Sequence, residues 1–230
     1  MSVALLERAA AALGPLVDEV VFVGGATIAL WITDPAAPPP RPTVDVDVIV
    51  EAASRLEYHA FEERLRSSGF REDQEDGVIC RWSHAETGLR LDAMPAKGGI
   101  LGFENRWQRK ALPHAGDRTL PNGAVIRAVP PPYLLATKLE AFAGRGHGDF
   151  LASEDFADVI ALIDGRAEIV AEVRDAPREV RVYLADELGR LSVDRRFADG
   201  VFGALRPDAA SQDRGSVVVE PRIEAIIAAR

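Results

Sequence analysis

Asp45 and Asp47 stand two residues apart in the stretch TVDVDVIVE. Side chains on a strand alternate between its faces. Val44, Val46, Val48 and Val50 therefore take one face, and Asp45, Asp47, Ile49 and Glu51 take the other. Two carboxylates pointing the same way repel, and charge on a sheet face is costly unless something neutralises it. A divalent ion is a natural partner: magnesium takes carboxylate oxygens together with substrate phosphates. Two such ions can stabilise both the attacking and the leaving oxygens of a phosphoryl displacement. A solvent-exposed edge strand is the competing explanation, because D-x-D is short and common.

The neighbours of the pair favour phosphoryl chemistry. Val20–Val23 runs into Gly24-Gly25-Ala26, a short apolar strand, a tight turn and the start of a helix. Paired glycines let backbone approach a ligand closely, and free N–H groups at a helix N-terminus favour phosphate. Arg41 and Thr43 complete R-x-T-x-D-x-D and share a face with the aspartates if the chain is extended there. A third acid, Asp92, lies in LRLDAM, where alternation sets Arg90, Asp92 and Met94 against Leu89, Leu91 and Ala93. An acid on a second central strand can complete a metal site and take a proton from an attacking hydroxyl. An ion pair between Asp92 and a nearby arginine is the structural alternative.

The elements that would carry these residues alternate in type. A helix over about Ser2–Leu13 stops at Gly14-Pro15; Ala26–Ile32 reads as a short buried helix, and the five prolines of Asp34–Pro42 make a surface loop. Ser54 and Glu57 form a capping box for a helix closed by Gly69. Val78–Ser83 and Leu89–Met94 flank a turn and form an antiparallel hairpin. Strands are expected near Lys110–His114 and Val125–Val129, around the turn at Pro121-Asn122-Gly123. After Pro130 the pattern is helical, which predicts an α/β (α+β) domain over 1–130 and a helical domain over 131–230.

Composition sets outer limits. The chain has 230 residues, 47% hydrophobic and 27% charged, which suits a soluble globular protein with its own core. Its single cysteine, Cys80, excludes an internal disulfide and fits a reducing cytoplasm; in a predicted strand it reads as a core residue. Glu7 and Arg8 interrupt the first apolar stretch, so that stretch reads as an amphipathic helix rather than a signal peptide, and no run is long enough for a membrane span. The net charge of −9 argues against indiscriminate nucleic-acid binding. Arg106, Arg109 and Lys110 are a candidate local basic patch, with Trp107 able either to stack on a base or simply to pack. GRGHGD at Gly144–Asp149 lacks the strand and the Lys-Ser/Thr of a P-loop and reads as a connection.

The pattern GG…RxTxDxD…LRLD resembles the active site of the polymerase-β-like nucleotidyltransferase superfamily. Leu134–Leu162, LLATKLEAFAGRGHGDFLASEDFADVIAL, is similar to the helical signature of its AbiEii-type toxin-like branch. The resemblance implies a nucleotidyltransferase-like mixed sheet with flanking helices. It also implies transfer of a nucleoside monophosphate from an NTP to an acceptor hydroxyl on RNA, protein or a small molecule. Asp45, Asp47 and Asp92 would be catalytic and hold Mg2+, or Mn2+ in its place. Gly24, Gly25, Arg41, Thr43 and Lys138 would bind the nucleotide, Lys138 at its phosphates. Asp155 and Asp158 would help hold the helical unit, with capping of a helix N-terminus as the alternative. A toxin–antitoxin or abortive-infection role with a cognate antitoxin follows from the same likeness. An aminoglycoside-type small-molecule nucleotidyltransferase and a non-catalytic nucleotide- or partner-binding protein are the rival functions. Two features depart from the family pattern: the long proline-rich gap between Gly25 and Asp45, and Glu154 where a basic residue is common.

Overall fold

The computed structural model describes residues 2–73, 79–102, 105–146 and 148–230. The chain forms two compact units: Met1–Leu30 with Pro42–Pro130, and Trp31–Arg41 with Pro131–Arg230. The second unit thus takes the proline-rich segment, which the expected boundary leaves in the first. No helix among the described residues is long and apolar enough to cross a membrane.

The first unit is built on a mixed sheet of β1 (Val20–Val23), β2 (Asp45–Val50), β3 (Phe70–Glu72), β4 (Arg81–His84), β5 (Arg90–Pro95), β6 (Gly116–Thr119) and β7 (Val125–Ala128). Among the described residues its strand order is β3-β4-β5-β2-β1-β7-β6. β2 pairs antiparallel with β1 and parallel with β5, so the D-x-D strand is central, and the edge-strand explanation falls. Val46, Val48 and Val50 are buried on one face, and Ile49 is buried on the aspartate face. Val44, just before the strand, is 73% exposed.

Helices α1 (Ser2–Leu13) and α2 (Arg55–Ser67) bury stripes at helical spacing: Leu6, Ala9, Ala10 and Leu13 in the one, Tyr58, Phe61 and Leu65 in the other. Ser54 caps α2 by accepting from the Glu57 N–H, and Glu57 answers by accepting from the Ala53 N–H at 2.7 Å. The Tyr58 hydroxyl donates to the Ala93 carbonyl at 2.7 Å and ties α2 to β5 beside Asp92.

Three local expectations change. Ala26–Ile32 is a 3-10 helix over Gly25–Leu30. The strand expected near Lys110–His114 is α3 (Arg106–Ala111) followed by a 3-10 turn at Leu112–His114. Asn105 caps α3 by accepting from the Trp107 N–H, and Pro113 suits a first helical turn, so local capping overrides a short apolar run. The partner of β7 is instead Gly116–Thr119, exposed throughout. The expected hairpin pairs β4 with β5, while Val78 lies outside the described residues.

The second unit contains α4 (Pro131–Arg145), α5 (Glu154–Gly165), α6 (Ile169–Asp175), α7 (Arg178–Ser192), α8 (Phe197–Ala204), α9 (Ala209–Arg214) and α10 (Glu220–Ala228). Pro131 and Pro132 open α4, where a missing N–H costs nothing. Phe142, Phe150, Phe156 and Phe197 form an aromatic cluster with centroid spacings of 5.0–5.8 Å.

The C-terminal end of α5 is closed by groups from distant sequence. The N–H groups of Thr33 and Asp34 donate to the Gly165 carbonyl at 2.9 and 3.0 Å. Arg222 donates to the Ile163 and Asp164 carbonyls at 2.8 and 2.7 Å, which meets the usual need of a helix terminus for donors. Gly165 leaves room for this docking, since a Cβ there would lie 2.3 Å from Ile32 Cδ1 and the Ile32 side chain would have to shift. Gly165→Ala is expected to cost about 1–3 kcal/mol in urea unfolding. Adding Ile32→Val, which removes the clashing methyl, should recover part of the loss; equal stability of Gly165→Ala and wild type would contradict the docking.

Candidate active site

On the aspartate face of the first unit, β2 and β5 pair in a register that sets Asp45 beside Arg90 and Asp47 beside Asp92. Side chains at register positions in adjacent strands are close neighbours, so the three carboxylates gather on one patch. Asp92 is buried, and Asp45 and Asp47 are half-buried.

A residue that sequence reasoning missed answers their repulsion. Arg81 on β4 stands opposite Asp92 in register, and its side chain is 12% exposed. Its Nε donates to Asp92 Oδ1 and its Nη2 to Asp92 Oδ2, both at 2.8 Å, a two-pronged pairing that suits the guanidinium fork. The same Nη2 donates to Asp45 Oδ2 at 3.2 Å. The ion-pair alternative for Asp92 is therefore present. A signal for it existed: a turn at Ala85–Gly88 puts Arg81 across from Asp92 by counting residues back along the hairpin.

Thr43 and Gly24 complete the patch. The Thr43 hydroxyl donates to Asp45 Oδ1 at 2.8 Å. Gly24 has φ of +79°, and a Cβ on it would sit 1.9 Å from Asp47 Oδ2. The buried Thr27, also missed, donates its hydroxyl to the Gly24 carbonyl at 2.8 Å and its N–H at 3.2 Å, which locks the glycine turn. Cys80 is buried beside these acids; burial, with the charges of Asp92 and Asp47, pushes its thiol up to about 12, so it stays protonated as a core residue. Trp107 is buried too, which removes it as a base-stacking surface, while Arg106 and Lys110 lie over its ring.

As a test for a divalent ion, the donor chemistry of Asp45 and Asp47 fits, with hard carboxylate oxygens on one face and the Cβ-less Gly24 turn against Asp47. Asp92 has both oxygens on Arg81, and no group of three or more His, Cys, Asp or Glu residues among the described residues forms a ready metal cage.

The remaining candidates lie in the second unit. Lys138 is buried, and its Nζ sits 3.1 Å from Asp155 Oδ1 and 2.7 Å from Asp158 Oδ2. Arg145, two helical turns on, grips Asp155 at 2.7 and 3.0 Å. Arg41 grips Asp158 at 3.0 and 3.2 Å and lies 3.3 Å from Glu154. Asp155 and Asp158 are thus buried partners of three cations rather than solvated helix-capping acids. GRGHGD begins in the last two residues of α4 and runs into the connection to α5, apart from His147, which lies outside the described residues.

A model of a protein family, the nucleotidyl transferase AbiEii toxin of type IV toxin–antitoxin systems, matches residues 4–222. The chain belongs to this family. It is accordingly a nucleotidyltransferase, of a family of toxins from toxin–antitoxin systems. A search of the curated proteins returns no match. In this AbiEii member the match spans both the aspartate face and the Lys138 cluster.

Two buried acids of the second unit titrate in opposite directions. Burial raises the Asp155 carboxyl, but Arg145 and Lys138 outweigh it and hold the group below the usual 3.8. Its ionisation stabilises the fold above that value, and this contribution is lost as the pH falls through the lowered one. Burial lifts Asp164 above 3.8 in spite of Arg214, so its contribution is complete below 3.8 and lost as the pH rises through the raised value. Carboxyl-carbon NMR titration should find the Asp155 midpoint below 3.8 and the Asp164 midpoint above it. The reverse order would contradict the assigned partners. At the glycine turn, Gly24→Ala should lose about 1–3 kcal/mol of stability in chemical unfolding, from backbone strain and the clash with Asp47; wild-type stability would show that the turn does not need glycine.

Proposed function

We propose that the protein transfers a nucleoside monophosphate from an NTP to an acceptor hydroxyl, with a divalent ion (Mg2+, or Mn2+ in its place) held by Asp45 and Asp47. The observation that carries this reading is the meeting of Asp45, Asp47 and Asp92 on one sheet face with Gly24 against the Asp47 carboxylate. The acceptor oxygen forms a bond to the α-phosphorus, and the bond from that phosphorus to pyrophosphate breaks. Gly24 and Gly25 carry the triphosphate on their backbone, where a side chain would intrude. Thr43 holds the Asp45 carboxylate in place. Asp92 completes the acidic patch and accepts the proton that the acceptor hydroxyl releases. Lys138, as the family resemblance implies, takes phosphate charge as pyrophosphate departs. An ion bound at the aspartates supplies positive charge against the phosphates. The activity serves as a toxin restrained by a cognate antitoxin, with RNA, protein or a small molecule as acceptor.

The test is to incubate the protein with each α-labelled NTP, Mg2+, and total RNA or cell extract, alongside Asp45→Asn and Lys138→Ala. Label should move to one acceptor class with wild type, and each variant should lose roughly a hundredfold or more of the rate. Intact NTP binding with no transfer to any acceptor would overturn the proposal.

A further inference from the structure

We propose that Arg81 is the resident cation of the aspartate face and competes with a divalent ion for it, so that this arginine sets the affinity of the metal site. The inference rests on the reading of Asp45 and Asp47 as the groups that hold the ion.

Arg81 is placed by the sheet rather than by chance contact. Its backbone stands opposite Asp92 in the β4–β5 register, and its mostly buried side chain runs along the face that carries the acids. The guanidinium takes both oxygens of Asp92 and reaches across to Asp45 Oδ2. The other Asp45 oxygen already receives the Thr43 hydroxyl. An ion drawn to Asp45 therefore meets an oxygen shared with Arg81, and two cations within a few ångströms on one carboxylate repel strongly at a half-buried site.

Charge leads to the same result. Arg81 offsets part of the charge of Asp92 and Asp45 before any divalent ion arrives. Arg90 shares the face but lies 3.8 Å from Asp73, so its charge is engaged there. The free protein should thus hold metal weakly, and an NTP, whose phosphates offer Arg81 and the ion new oxygens, should bring the metal with it. Arg81 also keeps the acids from repelling one another while no metal is bound.

The test is Mn2+ binding by calorimetry, without nucleotide, to wild type, Arg81→Gln and Arg81→Lys, each with and without Asp47→Asn. Arg81→Gln should bind Mn2+ roughly tenfold or more tightly than wild type, and Mn2+ should raise its Tm more. Arg81→Lys, which keeps the charge but loses the fork, should fall between. Equal or weaker Mn2+ binding by a folded Arg81→Gln overturns the competition; if that variant does not fold, Arg81→Lys binding no tighter than wild type does so. Mn2+ binding indifferent to Asp47→Asn in every background would instead overturn the metal reading beneath it.

Discussion

Parallel pairing of β2 with β5 puts Asp47 directly beside Asp92, with Asp45 two residues away on the same face, and like charges so placed push the strands apart. Much of the first unit is arranged around that repulsion. β4 supplies Arg81 across from Asp92, Thr43 donates to Asp45, and the β1 turn uses a glycine so that the Asp47 carboxylate has room. Tyr58 holds the β5 backbone next to the buried acid. An ordinary valine core on the opposite face lets this side of the sheet be spent on charge without loss of the fold.

The second unit meets the same difficulty inside helices. Asp155 and Asp158 near the start of α5, and Asp164 near its end, are withdrawn from water, and each has a cation. Removing one partner of such a buried pair leaves an uncompensated charge, which is costly. Several of those cations come from far along the chain. Arg41 lies in the proline-rich segment, while Arg214 reaches both Asp164 and Asp34. The segment between Thr33 and Arg41 therefore runs along α5, bonded near both ends of the helix.

Legibility followed the range of the forces. The two-residue period of TVDVDVIV and the lone turn at Ala85–Gly88 were readable because strand and hairpin geometry are local. The long helices after Pro130 announced themselves through apolar spacing. β6 had no such pattern, being exposed throughout and paired with β7. The partners of the acids were the main loss. Arg41 and Asp158 are 117 residues apart, and no local rule connects them. An acid in a first helical turn looks solvated by default, so nothing at Asp155 signalled burial. Lys138 became a candidate through the AbiEii resemblance and not through any local pattern.

Asp45 and Asp47 are the groups proposed to hold a divalent ion. The most direct measurement is anomalous scattering at the manganese edge from crystals grown with Mn2+ and a non-hydrolysable NTP analogue. A manganese peak is expected in contact with both the Asp45 and Asp47 carboxylates, absent in Asp47→Asn. Nucleotide bound with manganese touching neither carboxylate would contradict it.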